Sequence, residues 1–467
     1  MQQKSIKKMQ LFYWSLQLFC VAAGVAQLFI QPTQENILST VWCASASTAM
    51  VQYLSRSDCV KDHPFSSLAL LGFNITSLLT SLVSMSLYGQ PLVNGLRAPE
   101  ITFPALSILH FVAIGTHWVY RNFTPFSGAP QKIASTFFRP LGLFATPHIS
   151  AIWMMGALGA LSMVLGNAET GDVGGKTIQA LSFLCWMPFL IPFYQAREEK
   201  NYCNMKKQAF FIACFVLLMI LIGLARNMRQ IMLIGPLQLL FAYYILLSNR
   251  GDLATKRSIR RFVLVLVTGA LSIYLAADFA TAMVVARAKR DKATYQEMIE
   301  TTFTVLTKER YRLQQYRDST DIQASTSFYD EKYIPNPILA RLSETKFHDN
   351  MFYFGSRFSE RNTEALIESF KNKTLSILPE NIIKIFDREY RKNDYFYSMG
   401  DYYLYLIAGE ERLGSFVTGS IWADFYTLFG WAFFAVTAPY MLIMYIALDS
   451  LSMREREIGV SAVGICT

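Results

Sequence analysis

Charge is what this chain has least of. Asp, Glu, Lys and Arg make up 16% of its 467 residues, where a soluble protein carries about 25%. That deficit excludes an ordinary water-soluble domain. Cysteine pairs are missing too: Cys20, Cys43, Cys59, Cys185, Cys203, Cys214 and Cys466 lie scattered with no CxxC spacing, so neither a disulfide framework nor a zinc site is indicated. There is no P-loop and no dinucleotide-binding glycine pattern, which argues against a bound nucleotide. No metal or other cofactor is called for, and no internal repeat or low-complexity segment stands out.

What the chain has in place of charge is apolar length. Hydrophobic residues reach 52%, gathered in runs of the roughly 20 residues that cross ~30 Å of hydrocarbon. The runs predict an all-α polytopic membrane protein with about ten transmembrane helices, near residues 11–30, 37–54, 65–88, 101–120, 148–166, 178–195, 209–225, 230–248, 262–286 and 425–448. The first resembles a signal peptide behind Lys4, Lys7 and Lys8 but is long and lacks a small-residue cleavage site, so it reads as a retained span. With the N-terminus inside, the short cytoplasmic stretches hold nineteen lysines and arginines and the opposite ones four, Arg97, Lys176, Arg226 and Arg229. This bias explains the net charge of +9 without nucleic acid and places the long segment 289–424 outside the cytoplasm. The expected organisation is a bundle over 1–288, one large extracytoplasmic loop over 289–424, and a final span with a cytoplasmic tail over 425–467.

Some stretches depart from the plain pattern. The second run is rich in Ser, Thr and Ala and is expected to face other helices. Pro188 and Pro192 in the sixth, and Gly235-Pro236 in the eighth, are expected to bend their helices. Residues 121–144, with Pro125, Pro130 and Pro140, read as an irregular loop. Ile458–Thr467 reads as an interfacial tail or as the opening of a further span. In the long segment, residues 293–316, 337–342 and 363–370 are expected to be helical, Thr363 capping the last.

Candidate chemistry collects in four places. Arg226 and Arg229 sit in Gly223-Leu-Ala-Arg226-Asn-Met-Arg229 on the side where basic residues are disfavoured. They are either an anion clamp, since guanidinium matches phosphate in two bonds, or snorkelling anchors. His348 is the one histidine of the long segment and has the reach of a general base. Its neighbour Asp349 is not automatically its partner, because adjacent helical residues do not face each other. Asp278, toward the end of the ninth run, is expected to face a polar cavity or pair with an arginine, whereas His110 and His117 read as packing residues bonded inside the bundle. The approach to the last span, Tyr397-Ser-Met-Gly400-Asp401 through Thr418-Gly-Ser-Ile-Trp-Ala-Asp424, is either a site where substrate approaches backbone or an interfacial aromatic belt.

These features together resemble the Wzy-type O-antigen and exopolysaccharide repeat-unit polymerases, relatives of the O-antigen ligases. The multi-span architecture, the single large loop before the final span, the Gly-Leu-Ala-Arg226 turn and the Thr418-Gly-Ser…Asp424-Phe-Tyr…Phe-Gly430-Trp431 stretch carry the resemblance. It implies a glycosyltransferase of the bacterial inner membrane that moves a growing glycan from polyprenyl diphosphate to a hydroxyl of another lipid-linked unit. It further implies Arg226, Arg229, Arg341 and Arg412 on the substrate, His348, Asp401 and Asp278 in catalysis, and a flippase and chain-length regulator as partners. A ligase, or a non-enzymatic scaffold or transporter of envelope polysaccharide assembly, is the alternative.

Overall fold

The computed structural model describes residues 2–56, 59–165, 180–197, 203–226, 229–249, 277–286, 294–315, 329–376, 380–387, 389–409, 416–454 and 458–460, with a few single positions between them. The chain is predominantly helical. Among the described residues, five helical stretches are long and apolar enough to cross a membrane: Tyr13–Ile30, Pro64–Leu87, Pro99–Asn122, Met205–Ala225 and Ile421–Asp449. They fall on the first, third, fourth, seventh and tenth expected runs. The fifth run forms a shorter apolar helix, and of the ninth the best-described part is its final portion.

Helices α1 (Gln2–Ile30) and α2 (Gln34–Arg56) make the opening hairpin. Its turn is closed by Asn36, whose amide donates to the Gln27 and Gln31 carbonyls at 3.1 and 3.0 Å. A Cβ on Gly24 would come 3.2 Å from Ala44, so the small residues of the second run let the two helices close up. After the short α3 (Cys59–Asp62), α4 (Pro64–Asn74) passes through a π-helical turn at Ile75–Leu79 into α5 (Thr80–Leu87). Then come α6 (Pro99–Asn122) and α7 (Thr124–Ile133). The stretch expected to be irregular is thus helical at its start, because Pro125 falls in the first turn, where no backbone donor is needed.

A second group comprises α8 (Ile149–Leu165), a 3-10 segment (Ser182–Leu190), α9 (Ile191–Arg197), α10 (Met205–Ala225) and α11 (Arg229–Asn249). It has its own hydrophobic core of Ile152, Phe189, Phe215 and neighbours. Pro188 lies in the 3-10 stretch, and Gly235 is where the Phe189 ring presses against α11.

The long segment supplies α12 (Ala277–Ala286) at its approach, then α13 (Tyr295–Thr307), α14 (Pro337–Leu342), α15 (Thr345–Gly355), α16 (Glu360–Leu375), α17 (Glu380–Phe386) and α18 (Met399–Ala408). A capping box of Thr294 and Glu297 starts α13. The α16 helix is longer than expected and is capped by Ser359; Thr363 lies inside it, its hydroxyl turned back to the Ser359 carbonyl at 3.2 Å. Helix α19 (Ile421–Phe429) turns at Gly430 into α20 (Phe433–Asp449), and Ser452–Arg454 pairs antiparallel with Ile458–Val460. Residues of α15, α18, α19 and α20 join those of α1, α2 and α4–α6 in one larger core. The long segment is therefore built into the bundle.

Candidate active site

Helix α15 is where the long segment reaches deepest. Every residue from Thr345 to Phe352 is buried, although five of them, Thr345, Lys346, His348, Asp349 and Asn350, are polar or charged. Burying such groups is costly unless each is bonded, so their partners decide what the helix does.

The helix is seated first by the π turn. A wider turn leaves carbonyls without their usual donors, and the chain ahead of α15 fills them. Glu344 N–H donates to the Thr76 carbonyl at 2.7 Å and the Thr345 hydroxyl to the Ser77 carbonyl at 2.6 Å. Ser81 bonds both Ser343 and Thr345, each at 2.6 Å. Asp349 accepts from Arg97 N–H at 2.7 Å, Ala98 N–H at 2.9 Å and the Thr102 hydroxyl at 3.1 Å. It therefore caps the N-terminus of α6, where a helix dipole favours negative charge. Burial raises its carboxyl pKa, against the pull of Lys346 and of those donors. Lys346, 3.9 Å from Asp349, donates to the Gly95 carbonyl, and Asn350 donates to the Asp330 carbonyl at 2.7 Å.

His348 is different. Its Nδ1 lies 2.8 Å from Ser420 Oγ, which also accepts the Ala423 N–H as the cap of α19. Its Nε2 is buried and has no hydrogen-bond partner; the nearest carboxylate, that of half-exposed Glu344, is 3.8 Å away. Burial, with a smaller contribution from nearby His110, lowers the imidazole pKa to about 3, so the ring is neutral. In the tautomer whose Nδ1 donates to Ser420, the Nε2 lone pair is left available. Asp424, one turn beyond Ser420 on α19, is buried with Oδ1 unpartnered, and Asn74, just before the π turn, is buried with neither amide atom partnered. Helix α15 packs against both α19 and the π turn. Phe73 stacks on His110 with centroids 4.2 Å apart and approaches Trp422 at 5.3 Å.

The other expected site residues fall elsewhere. The Arg226 guanidinium donates to the Met163 carbonyl near the end of α8, in the second core. Arg229 begins α11, but its side chain lies outside the described residues, as does the whole of Arg412. Asp278 is half-buried in the first turn of α12, which packs on α13 and α14. On α14, Arg341 lies 4.0 Å from Glu331 and over the Phe347 ring at 5.7 Å. Asp401 takes N–H donors from Ser398, Gly414, Phe416 and Val417 at 3.1, 3.2, 2.9 and 2.8 Å. Those bonds occupy the lone pairs that a general base would use, and Asp401 reads as the anchor of a turn. A Cβ on Gly400 would lie 2.5 Å from the Val417 carbonyl and one on Gly419 3.0 Å from Gly400 N. Backbone, rather than substrate, makes the close approach there.

A second buried polar group lies at the other end of the same helices. Asp449, at the end of α20, caps α4 by accepting Phe65 and Ser66 N–H at 3.1 and 3.0 Å. It also accepts the Ser66 and Tyr120 hydroxyls at 2.6 and 2.8 Å, with His63 Nδ1 at 3.2 Å. His117 bridges the Tyr53 hydroxyl at 2.7 Å and Ser66 at 2.9 Å. His110 and His117 are thus bonded inside the bundle.

Glu344 and Asn74 were not singled out by sequence reasoning, and Ser420 and Asp424 only as members of the candidate stretch from Thr418 to Asp424. For Asn74 and Asp424 a signal existed, since an amide or a carboxylate in an apolar run is expensive and calls for an explanation. The bond of Ser420 to His348 spans 72 positions and leaves no trace in sequence. No protein-family model, curated protein or solved structure matches this chain.

Proposed function

We propose that the chain is a glycosyltransferase that polymerises polyprenyl-diphosphate-linked oligosaccharide repeat units at the outer face of a bacterial inner membrane. The observation that carries this reading is the unpartnered Nε2 of His348, on the long segment that the lysine and arginine count places outside the cytoplasm.

In this reading an acceptor sugar hydroxyl binds at Nε2. As its oxygen attacks the anomeric carbon of the donor glycan, Nε2 takes the proton and the bond to the diphosphate breaks with its electron pair. Burial holds the ring's pKa at about 3 and so resists this proton transfer. Glu344, 3.8 Å away, faces the imidazolium and offsets its charge, while Ser420 holds the ring in orientation. Asp424 and Asn74 supply further hydrogen bonds to sugar hydroxyls. The resemblance gives the leaving diphosphate to Arg226, which the fold holds at the Met163 carbonyl in the second core, and the Arg226→Ala variant decides between the two. A flippase delivers the donor and a chain-length regulator acts on the product.

A ligase would share this chemistry and differ in its acceptor. Complementation of glycan-chain formation by His348→Gln and Arg226→Ala, with membrane levels checked, tests the reading. Single repeat units left in place of polymer support the polymerase, and total loss of attached glycan favours the ligase. Full activity in both variants would refute the site and move the weight to a scaffold.

A further inference from the structure

Phe396 and Phe416 meet edge to face with centroids 5.1 Å apart, and both are about half exposed, at 49% and 54%. Phe416 adopts φ 55°, the only positive value at a non-glycine position among the described residues. For a bulky side chain this conformation is strained and persists only where the surroundings enforce it. The enforcement is visible: buried Asp401 accepts the N–H of Phe416 and that of Val417. A buried carboxylate thus holds a strained backbone whose effect is to present an apolar ring to the surroundings. Beside the pair, Tyr402 stacks on Tyr397 at 5.2 Å and on the partly exposed Tyr405 at 6.0 Å.

We propose that the Phe396–Phe416 pair is a saccharide platform, on which a sugar ring of the glycan rests. The proposal rests on the glycosyltransferase reading and extends it to how the polymer is held. The electron-rich face of an aromatic ring attracts the polarised C–H bonds of a pyranose much as it attracts a cation. A sugar has apolar faces and a hydroxyl rim, and the platform matches that pattern, because exposed Arg391, Asn393 and Asp394 lie two to five positions before its first ring. A lipid occupant would strip water from those charges. The location also fits. From Phe416 the chain has no regular structure until Ser420, the partner of His348, and four residues span at most about 14 Å. A glycan lying on the pair would therefore extend from the proposed transfer site.

The test uses the full chain in nanodiscs and, as probe, soluble glycan released by mild acid from the host's own lipid-linked polymer. Phe416→Gly removes the ring while suiting the positive φ, so the protein should melt no lower than the parent. Glycan binding should weaken about tenfold, the effect of losing one good contact, and the polymer made in cells should shorten. Unchanged binding by a folded Phe416→Gly protein would overturn the proposal. So would quenching of a Phe416→Trp reporter, measured against the parent, by brominated phospholipid, which would place the ring in the bilayer. Binding that is lost in Phe416→Gly but kept when another exposed ring is removed, in Phe303→Ala, supports the platform whatever becomes of the transfer reaction. A fully active His348→Gln protein removes the reaction alone.

Discussion

Two aspartates in the last third of the chain do the same structural job at opposite ends of the helices, in surroundings that differ. Asp449 caps α4, and the groups that meet around it bond one another through Ser66, Tyr120, His63 and His117. Asp349 caps α6, yet one position before it His348 keeps a nitrogen without a partner, and Asp424 and Asn74 add unpartnered atoms on adjoining elements. Buried polar groups left unsatisfied cost about 1–3 kcal/mol each, so a chain evolved for stability alone would remove them. The first region has the character of a staple. Unpartnered atoms also lie beside the first, at Ser67 and Arg121, so what sets the second apart is the kind of group, an imidazole, a carboxylate and an amide, and that difference supports assigning chemistry to His348.

The comparison can be broken most sharply at the staple. Asp449→Ala leaves five donors around an empty position and should destabilise the protein by about 3–5 kcal/mol, seen as poor recovery from membranes and a lower melting temperature. Asp449→Asn should recover part of that loss. His348→Gln should behave the opposite way: glycan transfer falls by about 10²–10⁴ while the melting temperature holds or rises. Gly400→Ala forces a methyl against the Val417 carbonyl and should cost about 1–3 kcal/mol, read by thermal unfolding. The last effect is a slope, read per pH unit. Below pH 6.5 the unfolded chain protonates His348, whereas the folded chain resists until about 3. Stability should therefore fall with pH across that window by up to about 1.4 kcal/mol per unit, and His348→Gln should flatten the slope.

The helical class and five of the membrane-crossing stretches were legible because hydropathy is a local property and each run carries its own signal. The ends of α4, α6 and α20 that meet around Asp449 are ones that the lysine and arginine count puts on a single side. His348 was legible as a lone histidine, while whether Asp349 partners it was left open. What the residues could not reveal was long-range pairing. The four amides that converge on Asp401 come from its own turn and from 13 to 16 positions away, so an exposed-looking acid becomes an anchor only when the chain folds back. The resemblance joined Arg226 and His348 in one reaction, yet the fold puts the arginine against Met163 in the second core and the histidine in the first. The π turn carries no motif, since its role is defined by the carbonyls it releases to Glu344 and Thr345.

The most direct test of the central claim is to measure, on one preparation of His348→Gln membranes, both the glycan chain-length distribution and the melting temperature of the protein. The account predicts loss of polymer with folding intact. Polymer of normal length from a stably folded His348→Gln protein would contradict it.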